Sequence, residues 1–234
     1  RLFGYDLRAR HRAGPGGWFF RQVDLPRLRE AAVTGAIWAI TTNPLRRAGS
    51  RAGVFERNLA ELERLLASQP DVAVVKTLPE YRAARARGQH CALLGIQGGN
   101  ALEGDGELER LLDDRIIQIT LVHLYANRLG STSAPVVRND VGLTGFGRDY
   151  LKLLNHRKVF VDLAHISQKG FWDAVELHDR SQPLLVTHTG VSGVHPHWRN
   201  LDDRQLKAVA ETAEVIRSRA GTARAADLIE ALAR

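Results

Sequence analysis

Apolar and polar positions follow two rhythms along this chain. Dense apolar runs alternate with stretches in which apolar residues recur every three or four positions. The dense runs are "AIWAITT" (Ala36–Thr42), "VAVVKT" (Val72–Thr77), "CALLGIQG" (Cys91–Gly98), "IIQITLVH" (Ile116–His123), "VFVDLAH" (Val159–His165) and "PLLVTH" (Pro183–His188). Their length and β-branched content predict buried strands. Helices are predicted over Val54–Ser68, where Phe55, Leu59, Leu62 and Leu66 share a face, and from Leu78, with Pro79 in the first turn. Further helices are predicted near Glu107–Asp113, over Gly145–Arg157 and over Gln168–Asp179. Another spans Leu201–Thr212, where Asp202 and Asp203 complement the helix dipole. "EVIRS" predicts a weak strand and "AADLIEALAR" a closing helix.

Strands alternating with helices imply a parallel sheet with helical crossovers, either an open doubly wound sheet or a (β/α)8 barrel. The glycines of "GIQGGNALEGDG" lack the G-x-G-x-x-G spacing of a dinucleotide fold. Six strands and a weak seventh fall short of a closed barrel, so a barrel would be incomplete, its first strand missing. No linker divides residues 1–234, which read as one domain.

Five predicted strands end in polar groups: Asn43, Gln97, His123, His165 and His188. In a barrel these ends share one mouth, where active sites form. Three imidazoles at matched positions suit a transition metal such as zinc; the plainer reading is a polar rim of satisfied histidines. His11, His90, His156 and His178 read as surface residues, while His195 and His197 fit either rim or loop. Arg199, in "HWRN", follows a strand-end loop, where an arginine can grip a carboxylate with two parallel hydrogen bonds; taken alone in so arginine-rich a chain it reads as a surface residue.

Composition narrows the classes. A chain 44% hydrophobic and 25% charged can build a packed core. Its net charge of +7 comes from arginines interspersed with acids, without a basic block interleaved with aromatics, so nucleic acid is not the expected partner. No apolar stretch reaches the roughly 20 residues of a membrane span. The single cysteine, Cys91, excludes an internal disulfide and fits a reducing compartment. "RLFGYDLRAR" is no secretory signal, so the visible residues read as cytoplasmic, with an export signal ahead of them left open. The absence of methionine, even at position 1, reads as the mark of a fragment.

Together, "KTLPEYRAARARGQHCALLGIQGGNAL", "IIQITLVHLYANRLGSTS", "GLTGFGRDYLKLLNHRKVFVDLAHIS", "GFWDAVE" and "PLLVTHTGVSGVHPHWRNLDDRQLKAVAE" resemble the renal (membrane) dipeptidase family of zinc metallopeptidases, in the family's order from Val23 to Glu211. The resemblance implies a (β/α)8 barrel, a binuclear zinc site and dipeptide hydrolysis. It implies that His165 and His188 ligate one zinc, that His123 contacts substrate and steadies the tetrahedral intermediate, and that Arg199 holds the substrate's terminal carboxylate. Three departures stand out. The family's first-strand His-x-Asp pair is not visible; Gln97 stands where the family has its bridging glutamate; and nothing after Thr212 matches its late substrate-binding aspartate. A carboxamide is a weak zinc ligand, so the resemblance implies one firmly held zinc ion, with a second doubtful unless Glu103 or Asp105 compensates. The expected function is a zinc-dependent dipeptidase-like hydrolase. The alternative is a catalytically impaired relative that binds a small carboxylate or serves as a scaffold. Oligomeric state stays open, a homodimer included.

Overall fold

A computed structural model of the protein describes residues 6–11, 23–41, 43, 46–108, 115–135 and 139–220, with side chains as far as 212. Helix α1 (Leu25–Glu30) is the first helix among the described residues. Asp24 caps it by accepting from Arg27 N, and Pro26 fills the first turn, where its missing N–H costs nothing. The order then runs β1 (Gly35–Thr41), α2 (Ala48–Ala67), β2 (Val72–Val74), α3 (Leu78–Ala86), β3 (His90–Gln97), a 3-10 turn (Gly99–Leu102) and β4 (Ile116–Thr120). It ends with α4 (Gly145–His156), β5 (Phe160–Asp162), α5 (Gln168–Leu177) and α6 (Asp203–Ala220).

Every strand pairing is parallel: β3 is central, flanked by β1 on one side and by β2 and β4 on the other, with β5 beyond β4. The alternation of side chains along β3 divides the interior. Ala92, Leu94 and Ile96 join Phe55, Leu59 and Leu66 of α2 in the main core, together with Leu151 and Phe171 of α4 and α5. Cys91 and Leu93 face the other way, into a smaller cluster with Val75, Ile117 and Phe160. Full burial of a side chain such as Phe55 stabilises by about 1.5–3 kcal/mol.

Register carries the second face from apolar to polar toward the strands' C-terminal ends. Gly95 aligns with Gln118 and Gln118 with Phe160; one row further, Gln97 aligns with Thr120 and Thr120 with Asp162. Gly95 is required here, because a Cβ would lie 2.4 Å from Gln118 Oε1 and 2.9 Å from Ile37 Cγ2.

Three predicted elements differ. "PLLVTH" forms no strand: it touches the sheet by a parallel bridge between Asp162 and Leu185, where Leu185 N donates to Val161 O (3.0 Å). "EVIRS" is not a strand but part of α6, whose hydrogen-bonded turns carry the β-branched pair Val215–Ile216 along. Helix α2 begins six residues before the predicted start. Most of the predicted helix near Glu107–Asp113 and all of "AADLIEALAR" lie outside the described residues. α1 escaped the sequence reading, although Asp24 followed by Pro26 is a helix-start signature.

Candidate active site

Four of the five polar strand-end residues meet at one rim, and Arg199 joins them. The ring of His165 lies edge-on to both His123 (centroids 4.5 Å apart) and His188 (4.9 Å). His165 Nε2 is 2.8 Å from His188 Nε2. Gln97 Nε2 is 3.2 Å from the same His188 nitrogen, while Gln97 Oε1 accepts from Thr41 Oγ1 (3.0 Å). Arg199 Nη2 sits 3.1 Å from His165 Nε2 and donates to His188 O (3.3 Å).

Local structure explains each placement. Gly98, at φ 103°, adopts a backbone that L side chains rarely take and turns the chain out of β3 behind Gln97. His165 itself sits at φ 67°, a left-handed conformation unusual for a residue with a side chain. Such a backbone persists only when its surroundings over-determine it. Here His165 O accepts from Ser133 N (2.8 Å) and Thr132 Oγ1 (3.0 Å), and Thr132 pairs with Ile166 in an antiparallel bridge. Thr132 Oγ1 also lies 2.6 Å from His123 O, so its one proton is shared between carbonyls of two histidine-bearing segments.

Electrostatically the rim favours neutral imidazoles. Burial, then the Arg199 guanidinium and the neighbouring rings, pushes His165 down to about 3. His123 is lowered by burial, then by His188 and Arg199. His188 is lowered mainly by burial, against the opposing pull of Asp162. Neutral imidazoles keep lone pairs, which is what a metal ligand needs.

Of the remaining candidates, His197 lines one cavity with His165 and Arg199 and accepts from Arg199 N (3.2 Å), and the others lie apart. Asn43 is exposed, its carbonyl accepting from Arg46 N. His195 and His197 are exposed and stack on one another, with Trp198 beside His197. Glu103 ion-pairs with Arg51 and accepts from Arg128 N, and Asp105 pairs with Arg128 (2.6 Å) on the surface. Their carboxylates are thus engaged by arginines rather than by the histidine rim. Three of the four histidines read as surface residues are not: His178 is buried and bonds Gln182 O through Nε2, half-buried His90 accepts from Trp38 Nε1 (3.1 Å), and half-buried His11 lies against Asp24. Among the described residues no set of three His, Cys, Asp or Glu side chains is placed to hold one ion.

The residue that sequence reading missed is Asp162. Fully buried, its carboxylate accepts from Gln118 Nε2 (2.9 Å), Thr120 Oγ1 (2.6 Å), Ala164 N (3.1 Å), Thr187 N (3.1 Å) and Thr187 Oγ1 (2.8 Å). An acid inside the apolar run "VFVDLAH" was the available signal, since a buried carboxylate needs such a shell.

Imidazoles gathered at the C-terminal ends of parallel strands are an arrangement that metal-dependent hydrolases use. The chain belongs to the membrane dipeptidase family (peptidase family M19), whose sequence profile matches residues 19–220. It is 24% identical over 213 residues to an uncharacterized protein of Acinetobacter calcoaceticus, covering 81% of this chain and 67% of that one. It is 24% identical over 210 residues to an uncharacterized dipeptidase of Schizosaccharomyces pombe, covering 83% and 51%. Among solved structures it is similar to a metallo peptidase from Rhodobacter sphaeroides liganded with a phosphinate mimic of the dipeptide L-Ala-D-Ala (TM-score 0.72, 24% identity, 84% of this chain and 65% of that one). It is also similar to dipeptidase AC, a metallo peptidase of family M19 (TM-score 0.71, 26% identity, 84% and 63%). The chain spans 51–67% of the length of these four relatives. The parallel β/α order is that of the family's barrel, of which the described strands form an open arc.

Proposed function

We propose that the protein is a metal-dependent dipeptidase, with zinc the metal, acting on short peptides that end in a free carboxylate. The observation that carries this reading is the 2.8 Å approach of His165 Nε2 to His188 Nε2. Two imidazole nitrogens that close need a proton or a cation between them.

Among the described residues two imidazoles could contribute to holding one ion, with Gln97 the nearest further oxygen donor. Zinc–nitrogen distances of 2.0–2.1 Å at a tetrahedral angle put two ligand nitrogens about 3.3 Å apart. Holding zinc would require the rings to part by roughly half an ångström, and His188 is exposed at the rim. His165 and His188 would hold the ion, and rotation of the Gln97 amide would turn Oε1 toward it. When bound, zinc supplies a water nucleophile at neutral pH and polarises the scissile carbonyl.

The chain's own residues do the rest. His123, kept neutral by burial, stands edge-on to His165 and offers a ring N–H to the oxyanion that develops on the substrate carbonyl. Arg199 leaves His165 and grips the substrate's terminal carboxylate with both arms of its fork. An anchor this close to the histidines restricts the site to short substrates. The test is zinc content of the purified protein together with release of free amino acids from a dipeptide panel, beside His165→Ala. Zinc and turnover in the wild type, both absent in the variant, are expected; neither zinc nor turnover in the wild type overturns the proposal.

One observation favours a second reading, an impaired relative that binds a small carboxylate. Gln97 presents an amide N–H, not a carboxylate, to His188. Pocket and Arg199 would then serve binding alone.

A further inference from the structure

We propose that Asp162, acting through Thr187, is a positioning residue that fixes His188 in the tautomer protonated at Nδ1, so that Nε2 presents its lone pair to the rim. The inference rests on the metal-dependent reading for its purpose, but its geometry is independent of it. Thr187 Oγ1 lies 2.8 Å from Asp162 Oδ2 and 2.9 Å from His188 Nδ1. A hydroxyl has one proton to donate, and a carboxylate can only accept. The proton therefore goes to Asp162, and the Thr187 oxygen must accept from His188 Nδ1–H.

The Asp162 side of the ring admits no other assignment. Thr120 Oγ1 also lies against Asp162 Oδ2 (2.6 Å) and accepts from Gln118 Nε2 (2.9 Å), so its proton too goes to the carboxylate. Fixed N–H donors from Gln118, Ala164 and Thr187 occupy the rest of the Asp162 shell. On the far side of the ring, the Gln97 amide N–H points at His188 Nε2, which requires a lone pair there. Thr187 and Gln97 thus assign the two nitrogens of His188 alike, whereas Arg199 Nη2, 3.1 Å from His165 Nε2, pulls the proton of the 2.8 Å contact between the rings the other way, toward His188 Nε2. A ligand's second nitrogen bonded to a carboxylate or its relay is how proteins commonly set metal-binding histidines.

The test reads the tautomer directly. Imidazole nitrogen NMR of metal-free, 15N-histidine-labelled protein at neutral pH is expected to show His188 protonated at Nδ1. Thr187→Val, which replaces the hydroxyl by a methyl of equal size, is expected to give a mixture of tautomers, and Thr187→Ser to restore the single one. Asp162→Asn is expected to invert it. Its amide nitrogen, placed where Oδ2 was, would donate to Thr187 and turn that hydroxyl's proton toward Nδ1. In zinc titrations, Thr187→Val is expected to bind 10–100-fold more weakly than the wild type or Thr187→Ser. A wild-type His188 protonated at Nε2 overturns the proposal without any variant. So does an unchanged tautomer and zinc affinity in a folded Thr187→Val. If the wild type binds no zinc, the dipeptidase reading fails, and the tautomer measurement alone decides this one.

Discussion

His165 Nε2 and His188 Nε2 stand 2.8 Å apart although 23 residues separate them in the chain. The approach is arranged by different means on its two sides. His165 is held by its backbone, at φ 67°, and His188 by its side chain, through Thr187. Disturbing each side should therefore have a different signature.

At position 165 the backbone penalty separates two small residues. A left-handed conformation costs roughly 1–2 kcal/mol for a residue with a Cβ and little for glycine. Both His165→Ala and His165→Gly are expected to lose zinc. His165→Gly is expected to be the more stable of the two by about 1 kcal/mol in urea denaturation.

Arg199 Nη2 lies 3.1 Å from His165 Nε2, the nitrogen that a metal would need. Arg199→Ala removes a cation from that position and is expected to tighten zinc binding severalfold. The same change is expected to raise the KM for dipeptides by about tenfold or more, since a charge-assisted pair contributes about 1.5–3 kcal/mol. Arg199→Lys should recover only part of the loss, because an ammonium cannot form the fork. Calorimetry and steady-state kinetics on the same preparations check both halves.

Gln97→Glu puts a carboxylate beside His188 and is expected to raise zinc affinity at least tenfold, with a second ion taken up at higher zinc. Turnover rising from a measurable basal rate supports the dipeptidase reading. Activity appearing where the wild type has none supports the impaired relative.

Gly95→Ala places a methyl against Gln118 Oε1 and Ile37 Cγ2. Overpacking of this kind costs about 1–3 kcal/mol. A lowered melting temperature is expected, with zinc affinity falling alongside it, because Gln118 donates to Asp162.

A pH-dependent prediction concerns Asp173, away from the rim. Burial alone would raise its carboxyl, but donation from Leu143 N and Lys169 and the charges of Arg148 and Lys169 outweigh it, so the folded value lies below the ordinary 3.8. Stability from this group is full above the ordinary carboxylate range and is lost as pH falls through the depressed value. Asp173→Asn is therefore expected to be less stable than the wild type by about 1–3 kcal/mol at pH 7, with the gap narrowing below about pH 4. Urea titrations at pH 7 and at pH 3–4 measure both.

Much of the framework was legible in the sequence because it follows from local pattern. The apolar runs around Leu94 and Ile119 became the central strands, and Thr77 with Glu80 formed the capping box that starts α3. Histidines at strand ends were legible for the same reason, since a parallel sheet sends those ends to one edge. What escaped depends on contacts between distant segments. "PLLVTH" has the composition of a strand, yet its Leu185 meets the sheet at a single bridge. Val215 and Ile216 suggest a strand, but a helix already running from Asp203 carries them onward. His178 looked like a surface residue until its ring found Gln182 O. Asp162 could be seen in "VFVDLAH", but its importance lies in donors from Gln118, Thr120 and Thr187, which no local spacing announces.

The shell around Asp162 has a practical consequence for anyone engineering this protein. The same few polar contacts knit two strands together and orient the imidazole at residue 188, so robustness and chemistry share a fastening. Substitutions at residues 118, 120 or 162 made to harden the scaffold will retune the rim as well, and improvements to one property should be sought in α2 or α4, away from that shared joint.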